Sequence, residues 1–223
     1  MSEGFYDLCT LTMKFLLVTF GHWEVHGQEN VPRQGPLIVT SNHLNMADPP
    51  LLSASIPRHI TFMAKKELWQ NGFAARVVGG FGAFPVARGE RDIQALHMAE
   101  AVLRSGDALG MFPEGTRSRD CRVGRGHPGS ALIALRSGAP ILPVGITGTE
   151  VVEGFGFLIR RPPIIVTIGR PYHLPPVTGK LGRDELEAAT ALLMERIAEL
   201  LPDRYRPLSA VQAGKRYADH GRT

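Results

Sequence analysis

The residues best suited to chemistry stand in SNHLNMADPP, where His43 is followed within the same short segment by Asp48. A carboxylate beside an imidazole fixes its tautomer and stabilises the cation formed on proton uptake, so the pair can act as a general base. Taken alone, HxxxxD is a weak signal, because a histidine at a strand end can equally serve to cap the backbone. More specific is FPEGTRSR, from Phe112 to Arg119. Gly115 permits a tight turn there, and Glu114 and Arg117 are expected to project near one another. Arg117 and the N–H groups around Gly115 can hold a phosphate, while Glu114 can accept from a hydroxyl or anchor an arginine. The plainer alternative is a surface turn carrying an internal Glu114–Arg117 pair. GAFPVARGE, from Gly82 to Glu90, adds Arg88, and APILPVGI, from Ala139 to Ile146, adds an apolar wall.

These segments need elements to place them. Short apolar runs alternate with helical patterns, which is the signature of an α/β fold with helices covering a sheet. Strands are predicted at Leu37–Thr40, Ile60–Met63, Ala83–Val86, Ala108–Phe112, Ile141–Ile146 and Ile164–Ile168. His43 and Asp48 then fall in a loop at the carboxyl end of the first strand, where ligands commonly sit in such sheets. Helices are predicted at Asp92–Arg104 and Asp184–Leu201. In the second, Leu186, Ala189, Thr190, Leu193, Ile197 and Leu200 form one stripe, so Leu193 and Ile197 read as core.

With 223 residues and 43% hydrophobic content, the chain can bury one sizeable core. The organisation expected is an N-terminal apolar segment over 1–30, a main domain over 31–201 and a loosely held polar tail over 202–223. Cys9 and Cys121 form no pattern for a disulfide framework or a zinc site, and a reducing, intracellular setting is the default. The net charge of +4 comes mostly from arginine, which favours forked recognition of phosphate. The basic residues are interrupted by Gly-rich pieces, and no nucleic-acid-binding motif accompanies them, so no nucleic-acid partner is expected. Leu8–Phe20, LCTLTMKFLLVTF, is apolar almost all round but too short to span a bilayer. The acidic segment before it does not suit a signal peptide. Either a core helix or an interfacial helix remains open, the latter with Lys14 snorkelling and Trp23 near headgroups.

NHLNMAD, GAFPVARG, FPEGTRS and ILPVGI, in that order, resemble the four sequence blocks of the 1-acylglycerol-3-phosphate acyltransferase family, over roughly Gly35 to Gly169. The resemblance implies a mainly parallel central sheet flanked by helices. It also implies His43 as base with Asp48 as its partner, and Arg88, Glu114, Gly115, Thr116 and Arg117 around the acceptor phosphate. Two departures are mild: Asn45 stands where many members carry Ser, and Arg125 where Lys is common. The FPVARG form resembles bacterial members most.

The reaction so implied is acyl transfer from acyl-CoA or acyl-carrier protein to the free hydroxyl of 1-acyl-sn-glycerol 3-phosphate, giving phosphatidic acid. It calls for no metal and no cofactor beyond the thioester co-substrate, and places the chain peripherally on the cytoplasmic side of the cell membrane. Cys121 and Ser118 lie close to FPEGTR, yet an already activated thioester requires no acyl-enzyme. A sister enzyme using another glycerolipid or glycolipid, or a non-catalytic lipid-surface protein of the same fold, stays open.

Overall fold

A computed structural model describes residues 3–70, 72–86, 92–152, 161–176 and 181–207. The elements in chain order are α1 (Glu3–Phe20), β1 (His22–His26), β2 (Leu37–Ser41), α2 (Asp48–Ser55), β3 (Ile60–Lys65), α3 (Gly72–Gly80), β4 (Ala83–Val86), α4 (Ile93–Arg104), β5 (Ala108–Met111), α5 (Pro128–Ser137), β6 (Ile141–Thr147), β7 (Pro163–Ile168) and α6 (Arg183–Ala198).

The seven strands form one sheet in the order β1-β7-β6-β2-β5-β3-β4. Strands β2 to β6 run parallel to one another, whereas β7 pairs antiparallel with β6 and β1 follows β7 in parallel. The central strands are continuous apolar runs, as burial on both faces requires, and every residue of β2, β5 and β6 is buried. Alternation along β2 sends Leu37 and Val39 to one face and Ile38 to the other. The first face packs under α2, with Leu51 and Leu52, and under α1, with Leu17. The second packs under α4, α5 and α6, through Ala99, Leu103, Ile133, Ala134 and Leu193.

All six predicted strands are present, as are both predicted helices, the first capped by Asp92 accepting from the Ala95 N–H at 2.9 Å. Sequence reading passed over β1, α2, α3 and α5. In β1 the outward residues His22, Glu24 and His26 are exposed, so this edge strand carries only Trp23 and Val25 as apolar signal. In α2 the prolines Pro49 and Pro50 look like breakers, but they occupy the first turn, where a missing N–H costs nothing.

The N-terminal apolar segment is helical and two-sided. Tyr6 and Leu17 are buried, while Leu8, Leu11, Phe15 and Val18, at helical spacing on the opposite face, are each more than half exposed. Among the described residues no helix is long and apolar enough to cross a membrane. Trp23 is not at a free surface: it packs against the core, and its indole N–H donates to Ser55 Oγ at 3.3 Å. The start of the stretch expected to be loosely held is anchored as well, because Tyr205 is 1% exposed. The remainder beyond Pro207 lies outside the described residues.

Candidate active site

The site forms at the edge where β2, β5 and β3 present their carboxyl ends. Beyond Ser41 the β2 ladder is extended by a side chain: Asn42 Nδ2 donates to the Ile146 carbonyl at 2.9 Å, and the Ile146 N–H donates to Asn42 Oδ1 at 2.8 Å. That buried carboxamide fixes the residue before His43.

His43 Nδ1 lies 2.8 Å from Asp48 Oδ2, with the imidazole largely covered and Asp48 fully buried. The same Asp48 oxygen accepts from the N–H groups of Leu44 at 2.7 Å and Asn45 at 2.8 Å. Asp48 is acceptor only, so Nδ1 carries the proton and Nε2 keeps its lone pair for a substrate proton. Asn45 closes the loop, taking the Ala47 N–H on Oδ1 and donating through Nδ2 to the Val152 carbonyl.

Phe112, directly after β5, stacks on the imidazole with ring centroids 4.2 Å apart and stacks in turn on Phe62, 6.2 Å away. Room for this pile comes from Gly110. A Cβ there would press into the Phe62 ring, so any other residue at position 110 would collide with it.

The FPEGTRSR loop grips the main chain of His43 at both polar atoms. Glu114 Oε1 accepts the His43 N–H at 3.2 Å, and the Ser118 N–H donates to the His43 carbonyl at 2.7 Å. Glu114 Oε2 takes the Gly124 N–H at 3.0 Å. Burial pushes the Glu114 carboxyl up, against the pull of those two N–H groups. Gly115 makes the turn at φ +65°, with its N–H donated to the Phe112 carbonyl and the His127 ring against it.

The seven residues singled out from sequence therefore separate. His43 and Asp48 meet as expected. Glu114 does not pair with Arg117: it turns inward to backbone amides, because a carboxylate sunk this deeply needs N–H donors. Gly115 serves the turn. Thr116 and Arg117 face outward, at the wall of a cavity of about 1520 Å³ between this loop and α6 that Arg119 and Arg125 also line. Arg88 lies outside the described residues. Sequence reading missed Asn42 and the stacking role of Phe112.

Neither neighbouring nucleophile is poised for covalent work. Ser118 donates its hydroxyl within the loop, to the Arg122 carbonyl at 2.7 Å. Burial, then Glu150 and Asp120, hold the Cys121 thiol above its ordinary range, away from the reactive thiolate.

A family model described as Acyltransferase matches residues 22–147. The chain is 30% identical to a 1-acyl-sn-glycerol-3-phosphate acyltransferase of Bacillus subtilis, over 87% of this chain and 96% of that one. It is 32% identical to one of Borreliella burgdorferi, over 79% and 70%. Among solved structures, the crystal structure of the 1-acyl-sn-glycerophosphate acyltransferase of Thermotoga maritima superposes with a TM-score of 0.65 at 26% identity, covering 89% of this chain and 80% of that one.

Proposed function

Because the chain belongs to the acyltransferase family, we propose that it transfers a fatty acyl group to the free hydroxyl of 1-acyl-sn-glycerol 3-phosphate, making phosphatidic acid. The observation that carries this reading is the His43–Asp48 pair, held at 2.8 Å with Nε2 left open, on the same loop system as Arg117.

In this reaction His43 Nε2 takes the proton of the acceptor hydroxyl as its oxygen attacks the thioester carbonyl. The resulting imidazolium is stabilised by Asp48, and the proton passes to the leaving thiolate. Such base catalysis contributes on the order of 10² to 10⁴ in rate. Arg117 and Thr116, with Arg88, hold the acceptor phosphate, in which arginine's forked donors match phosphate oxygens. The donor is a fatty acyl thioester of CoA or of carrier protein. The engaged Ser118 hydroxyl and the raised Cys121 thiol support direct transfer without an acyl-enzyme.

The seat we propose is peripheral, on the cytoplasmic side of the membrane, and the exposed face of α1 supports the peripheral contact: Leu8, Leu11, Phe15 and Val18 offer an apolar stripe for the acyl region, as amphipathic interfacial helices do.

The test is thiol release from palmitoyl-CoA with product analysis by mass. Release should depend on lysophosphatidic acid and yield phosphatidic acid, with glycerol 3-phosphate and lysophosphatidylcholine much poorer. Equal or better turnover with either of those acceptors would assign a different lipid.

A further inference from the structure

We propose that Tyr205, outside the region shared with the family model, is a positioning residue that holds His43 in place from the opposite end of the chain. The inference rests on the acyl-transfer reading above. Tyr205 lies in a short 3-10 turn after α6, 1% exposed, in a small core with Leu44, Val123, Met194, Ile197 and Leu201.

Both polar ends of this residue are committed. The phenol O–H donates to Glu150 Oε1 at 2.5 Å, and its oxygen accepts from Arg204 Nη2 at 2.7 Å and from the Gly148 N–H at 3.3 Å, an N–H that Glu150 Oε2 also accepts at 2.9 Å. Burial first, and then Glu150, push the phenol up to about 12, so it remains a donor at every working pH. At the other end the Tyr205 carbonyl accepts the Val123 N–H at 2.8 Å.

Each grip leads to the base. Val123 precedes Gly124, whose N–H goes to the Glu114 carboxylate that takes the His43 N–H on its other oxygen. Gly148 begins the turn in which the Val152 N–H returns to the Thr149 carbonyl at 3.0 Å, and the Val152 carbonyl holds Asn45 Nδ2 at 3.0 Å. Asn45 and Leu44 in turn donate to the Asp48 oxygen that meets the imidazole. One residue thus ties two loops whose partners stand on either side of His43. Slack in either loop is expressed at the His43–Asp48 contact, and a misplacement of about 1 Å at a reacting group can cost ~10²-fold in rate.

The alternative is a plug that merely fills the small core, a role the ring alone would satisfy. Tyr205→Phe separates the two, because it keeps the ring and removes the hydroxyl. In the full chain it should lower kcat by roughly 10-fold or more while both KM values stay within about twofold. Hydrogen exchange should quicken at the Leu44 and Asn45 amides, on the arm that the hydroxyl holds, and stay unchanged at Ile38 and Leu142 in the central strands. Glu150→Gln, which still accepts from the phenol but turns an NH2 toward the Gly148 N–H, should give a smaller kcat loss. Combined with Tyr205→Phe, it should cost less than the product of the two separate losses. Wild-type kcat in Tyr205→Phe, or faster exchange spread evenly through Ile38 and Leu142, would overturn the proposal. If Tyr205→Phe does not fold, an unchanged kcat in Glu150→Gln overturns it instead. A wild-type protein that makes no phosphatidic acid defeats the functional reading, while the exchange pattern still reports the loop coupling.

Discussion

Glu114 holds the backbone of His43: its Oε1 accepts the His43 N–H at 3.2 Å while its Oε2 accepts that of Gly124. A carboxylate is the only side chain that offers an acceptor to both. Glu114→Gln leaves one buried N–H facing an amide NH2, at a cost of about 1 to 3 kcal/mol. It should lower kcat without a selective rise in acceptor KM.

The same residue sets a pH dependence of stability. Burial raises the Glu114 carboxyl in the folded chain, so the folded state binds the proton more tightly than the unfolded one. Its contribution to stability is fully present below the unfolded value and is lost as pH rises through the raised folded value. Urea unfolding across that window should show the stability advantage of wild type over Glu114→Gln shrinking as pH rises. An advantage that grows with pH would contradict the buried placement.

The dyad itself gives the largest kinetic effect. His43→Ala should lower kcat by roughly 10² to 10⁴ with KM little changed, since the base acts on the proton in the transition state. Asp48→Asn should follow in kcat, and should also lose stability, because Oδ2 serves three donors. A folded His43→Ala protein with near wild-type turnover would end the mechanism proposed here.

Arg117 makes no ion pair among the described residues and faces the cavity beside α6. A lost charge-assisted hydrogen bond is worth about 1.5 to 3 kcal/mol, so Arg117→Ala should raise the acceptor KM by roughly 10- to 100-fold and leave that of the donor. Equal effects on both substrates would point to a role in loop structure.

The aromatic pile on His43 predicts that an addition two residues before Phe112 reaches the site. Gly110→Ala sets a Cβ against the Phe62 ring, an overpacking worth about 1 to 3 kcal/mol. A lower melting temperature with a disproportionate loss of kcat is expected. Loss of stability with kcat preserved would show that Phe62 yields without moving Phe112.

Removing α1 would take away buried Tyr6 and Leu17 together with the exposed stripe, so the informative substitutions are Leu11→Glu and Phe15→Glu. Together they should release most of the protein from anionic vesicles while it stays folded and active on a short-chain acceptor. Undiminished vesicle binding would place the anchor elsewhere.

The strands of this fold were legible because β2, β5 and β6 are buried on both faces and write that burial as unbroken apolar runs. Edge strand β1 was not, since half its residues face water, and α2 was hidden by prolines that are harmless only in a first helical turn. His43 and Asp48 could be paired because they are near in sequence, one in the loop after β2 and the other opening α2. Glu114 could not be placed, because its partners, His43 and Gly124, donate from the main chain, and a backbone N–H leaves no trace in residue identity. Tyr205 fared worse: a lone tyrosine amid polar residues after the last helix looks like surface until Leu44 and Val123 close over it.

The reversal of β1 and β7 also has a bearing on how lipid would reach His43. Since His22 pairs with Pro163 and Ile165 with Thr147, the start of β1 lies at the carboxyl edge of the parallel strands, and α1 joins the sheet there. Chain entry and chemistry share one rim. An enzyme seated by that helix meets its acceptor by lateral diffusion in two dimensions. The concentration that governs its rate is then a mole fraction in the bilayer, so diluting the acceptor with inert lipid should slow turnover even at constant total amount.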